Sequence, residues 1–206
     1  AASDVYKRQI KKDLKFSDGS PITSANYIFG SLLQSHPEYQ VVTGSTNVGA
    51  DSVAGYKDYF AGKNPEFTGF EIVDDHTFKA TVDAEYLPYF EEAALRGFGP
   101  FPISAITENL EVSKDGKKLV SKEGYQVTDE DKDRYYKNLD TSIAKAKEDF
   151  EENWSFIETE KDVTEEEKKE YEEAKAELDK NIADLEARKN GDVDPTELLI
   201  EDAMLR

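Results

Sequence analysis

The spacing of apolar residues changes character along this chain, and each change marks an element. Around Leu14 and Phe16, apolar and polar residues alternate until Ser17-Asp18-Gly19-Ser20-Pro21. That pattern predicts a strand running into a tight turn, because Asp bonds its own backbone, Gly permits positive φ and Pro fixes φ. Thr23 then stands at a helix N-cap position, its hydroxyl placed for a free N–H two or three residues on. Ala25, Ile28, Phe29, Leu32 and Leu33 follow at helical spacing and predict one buried face.

Residues 35–69 lose this periodicity and are punctuated by Pro37, Gly44, Gly49, Gly55, Gly62 and Pro65. A packed irregular connection is expected, with one short helix carrying Tyr56, Tyr59 and Phe60 and ending at Gly62. Alternation returns at residues 70–82. Phe70 and Ile72 share one side, Phe78, Ala80 and Val82 another, and Asp74-Asp75-His76 makes the turn of a hairpin. Pro88 fits the first position of a helix running through Arg96, with Gly97 to end it. Gly99-Pro100-Phe101-Pro102-Ile103-Ser104 follows as an extended, non-helical segment.

Beyond residue 106 the pattern becomes a long helical period. A hairpin at residues 110–120 has Asp115-Gly116 at its tip, and Thr128 opens a helix. Tyr136, Leu139, Ile143, Ala146, Phe150, Trp154 and Ile157 make its narrow apolar seam. Thr164-Glu165-Glu166-Glu167 is a capping box for a second helix with seam Tyr171, Ala174, Leu178, Ile182 and Leu185, ended by Asn190-Gly191. Helices of about 30 and 25 residues with a short join fold back antiparallel, each covering ~40 Å. Asp194-Pro195 opens a third helix with Leu198, Leu199 and Met204.

Charge divides the chain at the same place. There are 14 acidic against 9 basic side chains up to Ile106 and 31 against 17 after it, so most of the net charge of −19 lies in the second half. This balance argues against nucleic acid and anionic lipid as partners, since phosphate contacts need clustered Lys and Arg. The absence of cysteine excludes disulfides, thiolate metal sites and thiol nucleophiles within these residues. No apolar run approaches the ~18 residues of a membrane helix. The first residue is not Met, and Asp4-Val5-Tyr6-Lys7-Arg8-Gln9 resembles a translated library-preparation sequence, so residues 1–9 are expected to be a non-native leader outside the fold. Ending at Arg206 inside a helical pattern, the chain reads as an internal fragment of a longer protein.

Two motifs carry a resemblance. Lys15-Phe16-Ser17-Asp18-Gly19-Ser20-Pro21-Ile22-Thr23 before an aromatic-bearing helix resembles the opening motif of the family 5 extracellular solute-binding proteins, the peptide-binding subunits of bacterial ABC importers. Val73-Asp74-Asp75-His76-Thr77-Phe78, then Pro88-Tyr89-Phe90, then the P-x-P-x-S segment from Pro100 to Ser104, are similar to that family in the same order. The resemblance covers residues 10–106. It departs at Asn26, where the family usually has an acid, and this is expected to weaken the helix cap slightly.

The resemblance implies an α+β fold: part of one lobe of a two-lobed periplasmic-binding-protein-like fold, with a small sheet from residues 14–17 and 70–82. Residues 107–206 then form an acidic insertion, a hairpin followed by a long antiparallel helical hairpin. It implies an extracytoplasmic, peptide-capturing component that delivers oligopeptides to an ABC importer permease, with any lipid anchor upstream. Ligand-facing candidates are Arg96 and Phe98, in the turn after the Pro88 helix, and Tyr39, in the loop after the first helix.

No nucleophile motif, phosphate loop or metal cluster supports an enzyme, and no cofactor is implied. Asp74 and Asp75 lack further oxygen ligands for a cation, and turn chemistry accounts for them and for His76. His36 lies at a helix end, where a donor favours free carbonyls. The competing reading is a non-enzymatic interaction protein that binds a partner through the acidic helical hairpin.

Overall fold

The computed structural model describes residues 4–43, 50–89, 99–159, 163–191 and 193–205. It divides into two compact units, one of Ala1–Tyr125 with Leu199–Arg206 and one of Gln126–Leu198.

The first unit is built on a three-stranded antiparallel sheet of order β1-β3-β2, with β1 Asp4–Gln9, β2 Phe70–Asp74 and β3 Thr77–Val82. The last two are the hairpin read from the sequence. Phe70 pairs with Ala80 and Ile72 with Phe78, and the register shifts just before the turn. Phe70, Phe78, Ala80 and Val82 are all buried, as a period of two requires when one face of a strand is core.

Two expectations about this sheet are corrected. Residues 14–17 are not a strand: Lys15 makes only an isolated bridge to Pro21, and the Phe16 N–H returns to Ser20 O at 2.9 Å. So short an alternation closes on itself through the turn that follows. The third strand comes instead from residues 4–9, which the sequence set outside the fold, and it pairs with β3 from Asp4↔Val82 to Gln9↔Thr77. Only Tyr6 in this strand is even half-buried. Backbone hydrogen bonds hold it, so no apolar pattern announces it.

Helix α1 (Ser24–Gln34) packs on β2 and on the hairpin of β4 (Leu110–Val112) and β5 (Leu119–Ser121). Ile28, Phe29, Leu32 and Leu33 are buried as expected, but Asn26 rather than Ala25 joins them. The connection from α1 to β2 contains α2 (Glu38–Thr43) and α3 (Tyr56–Phe60). It delivers aromatic rings to the core: Tyr59 stacks on Phe67 at 5.1 Å, and Phe67 meets Phe70 edge-on at 4.9 Å. The β4–β5 tip covers the outer edge of β2, where the Ile72 N–H donates to Asp115 O at 2.9 Å. Gly116 is required there, because its φ is +83° and a Cβ would come within 2.9 Å of Ile72 Cγ1.

The Pro88 region also differs from expectation. Residues Ala84–Tyr89 form a 3₁₀ helix with Pro88 near its end rather than at the start of an α-helix. The rest of the expected helix, with Gly97, lies outside the described residues. Ile103 and Ser104, expected to be extended, begin the single-turn helix α4 (Ile103–Ile106), because Pro102 precedes the helical turn instead of interrupting it.

The second unit contains α5 (Asp129–Trp154), α6 (Phe156–Thr159) and α7 (Glu165–Lys189). Helix α8 (Pro195–Met204) follows, and Asp194 accepts the Thr196 N–H at 2.7 Å to open it. Both long helices start with reciprocal capping boxes. Thr128 and Asp131 exchange bonds of 2.9 and 3.1 Å, Thr164 and Glu167 bonds of 2.8 and 3.2 Å. Lys189 reaches Asp140 at 2.6 Å while Phe150 lies 5.4 Å from Tyr171, which fixes α5 and α7 as antiparallel. The first helix is shorter than expected because it breaks at Ser155. Tyr135, not Tyr136, is the buried tyrosine, beside Leu139 and Ile143. Among the described residues no helix is long and apolar enough to cross a membrane.

Candidate functional site

Three of the segments that carry the resemblance, residues 15–23, the β2–β3 turn and the Phe101 segment, converge on the start of α1. Ser24, fully buried, donates its N–H to Asp75 O and its hydroxyl to Asp74 O, both at 2.8 Å. The helix start is thereby fastened to the β2–β3 turn. That turn is held from within: the Asp74 carboxylate accepts the His76 N–H at 2.8 Å, which lowers its pKa below the usual carboxylate range. His76 O in turn accepts the Ile10 N–H at 2.8 Å. The turn before α1 is closed in the same way. Asp18 accepts both the hydroxyl and the N–H of Ser20, at 2.6 and 2.8 Å, and its pKa is lowered by them.

Asn26 fastens the third segment. Its Oδ1 accepts the N–H and the hydroxyl of Thr23 at 2.8 and 2.9 Å. Its Nδ2 donates to Phe101 O at 2.8 Å, and the Phe101 N–H donates to Asn26 O at 2.9 Å. The Phe101 ring lies so close to Gly30 that a Cβ there would clash with it. A carboxylate at position 26 would keep the acceptor and lose the donor. The expectation of a weakened cap is therefore replaced: the amide takes both the N–H and the hydroxyl of Thr23, which donates here instead of accepting a free N–H, and adds a bond to the proline-rich segment.

The described residues that precede and follow residues 90–98 in the chain are fastened as well. On one side of residues 90–98, Asp83 N–H donates to Ser52 O at 2.9 Å and Glu85 pairs with Lys57 at 2.6 Å. On the other side, Phe101 is clamped to α1. Arg96 and Phe98 themselves lie outside the described residues. Tyr39 is described, half-buried in α2, with its N–H donating to His36 O at 2.9 Å. His36 packs edge-on to Tyr59 at 6.1 Å, and Tyr59, whose hydroxyl donates to Leu32 O, has its pKa raised by burial. Of the three candidates only Tyr39 is among the described residues. What sequence reasoning missed is the pairing of Ser24 and Asn26. A polar residue at a buried helical position was the available signal, because such a residue needs a partner.

Chemically, the described arrangement braces segments against one another. Among the described residues no group of three or more His, Asp and Glu side chains is placed to hold a metal ion.

No model of a known protein family matches the chain, and no solved structure matches it. Part of it is similar to two oligopeptide-binding proteins. The periplasmic oligopeptide-binding protein OppA of Escherichia coli (strain K12) is 27% identical over 127 residues, which is 61% of this chain and 23% of that protein. The protein of the same name from Salmonella typhimurium (strain LT2) is 29% identical over 104 residues, 50% of this chain and 19% of that protein. The similarity therefore spans a quarter or less of the length of these relatives.

Proposed function

We propose that residues 10–106 are part of one lobe of an extracytoplasmic oligopeptide-binding receptor serving an ABC importer, and that the chain is not an enzyme. The partial likeness to two periplasmic oligopeptide-binding proteins supports this reading. The observation that carries it is the fastening of the β2–β3 turn and the Phe101 segment to α1 by Ser24 and Asn26. Receptors of this kind close two lobes over the ligand, so affinity comes from contacts made in the closed state. Arg96, Phe98 and Tyr39 are the candidate ligand contacts, and the permease is the partner to which peptide would be delivered.

Calorimetry with a mixed pool of tri- to pentapeptides tests this. Alone, the chain is expected to show no saturable heat up to ~1 mM, because one open face gains too little to offset the several kcal/mol of lost rigid-body freedom. A chimera carrying residues 10–106 in place of the matching segment of the E. coli relative should bind the pool. A chimera that melts cooperatively yet binds nothing would refute the peptide-receptor reading. Micromolar binding by the chain alone would refute the part-lobe reading.

A further inference from the structure

The helical hairpin is much better covered at one end than at the other. Tyr135, Leu139, Ile143 and Leu185 are buried. Toward the opposite end the seam is only half-buried, and it is there that four aromatic rings collect. Phe150 and Trp154 lie 5.4 and 6.0 Å from Tyr171, and Phe156 stacks on Trp154 at 6.0 Å. Alanine and leucine would suffice to keep two helices in register. The four rings are half-buried, and a third helix laid along the seam would cover what they leave accessible.

The charge around these rings specifies what such a helix must be. Among the described side chains of residues 145–157 and 163–175, ten are acidic and five basic. Two of those bases are already paired, Lys168 with Glu165 at 2.7 Å and Lys169 with Glu173 at 3.3 Å. Glu151, Glu152, Glu170 and Glu172 stand exposed beside the rings. This field repels a second copy of the same hairpin, nucleic acid and anionic bilayers, and attracts cations. Lys175 sits over the Tyr171 ring at 5.7 Å, so one of these rings already carries a cation on its face.

We propose that this end of the hairpin docks a basic amphipathic helix of a protein partner, its apolar stripe on the aromatic cluster and its Lys and Arg flanking it against the carboxylates. The docking needs nothing from the peptide-receptor reading and stands or falls separately.

The full chain is titrated with a synthetic Leu/Lys amphipathic helix of about 18 residues, five turns long, and with a scrambled peptide of the same composition. Trp154 is the only tryptophan, so its emission reports this site alone. A saturable blue shift is expected with a dissociation constant of ~10 µM or tighter, at least about tenfold weaker for the scramble, which lacks the helical apolar face. The triple variant Glu151→Gln, Glu152→Gln, Glu170→Gln should weaken binding at least about fivefold, and so should raised salt. These side chains are exposed, and unchanged helical circular dichroism will show that the variant remains folded. Absence of a saturable shift up to ~200 µM, a concentration far above that of a specific helix-in-groove contact, overturns the proposal. Equal binding of the scramble, undiminished binding by the variant, or a stable dimer without peptide also overturns it.

Discussion

Exchanging Asn26 for Asp leaves Thr23 its acceptor but replaces the amide donor facing Phe101 O with a second oxygen. At a position as buried as this one, a carbonyl left without its donor costs about 1–2 kcal/mol. Asn26→Asp is therefore expected to lower the unfolding free energy by that amount, read as a lower urea midpoint at unchanged m value, and Asn26→Ala, which loses both bonds, to lower it by more. An Asp variant as stable as the parent would mean that the Phe101 clamp contributes nothing. None of this was readable from residues 23–29 alone, because the partner of the amide lies 75 positions away. Ser24, bonded 50 positions away, was invisible for the same reason. Local chemistry indicated a cap and could not indicate what the cap was fastened to.

Among the elements, those whose side chains supply the stabilisation were legible and those held by backbone were not. The β2–β3 hairpin shows a period of two with a turn between, and α5 and α7 show capping residues and a seam, so both appear in the sequence where the structure has them. Strand β1 shows no such pattern, with Val5 left 56% exposed. It nevertheless covers one edge of β3 along six residue pairs. Deleting residues 1–9 leaves that edge unpaired, and unpaired edges recruit other strands. Loss of more than ~1 kcal/mol of stability is expected, since several net hydrogen bonds go with it, together with concentration-dependent association in light scattering. An unchanged midpoint would show the strand to be idle. Tyr135 displaced Tyr136 from the seam by a single step, a difference of 100° around the helix that spacing alone resolves poorly. Arg96 and Phe98 rest on position in a family pattern and not on any pattern of their own, and they lie outside the described residues.

For the molecule as a whole, its carboxylates set the response to acid. Asp18, Asp74, Asp115, Glu165 and Glu167 have lowered pKa values, the largest causes being Ser20, the His76 N–H, Ser113, Lys168 and Thr164 respectively. Each is more easily ionised folded than unfolded. Its contribution is thus complete above the ordinary carboxylate range and is lost as pH falls through the lowered value. The melting temperature should drop mainly below about pH 4, the range in which such groups titrate. At pH 7 added salt should raise it by screening the net charge of −19. A melt unchanged from pH 7 to pH 3 would contradict the first of these. The long reach of Ser24 and Asn26 has a consequence in time as well. A chain made from its N-terminus exposes α1 early, yet that helix cannot complete its bonds until Asp74 and then Phe101 have been synthesised. Helices α5 and α7 need only their short join to meet, a cheaper closure in chain entropy. Pulse-labelled hydrogen exchange during refolding should accordingly protect amides of α5 and α7 before those of Ser24 and Phe101, so that the segment made first is finished last.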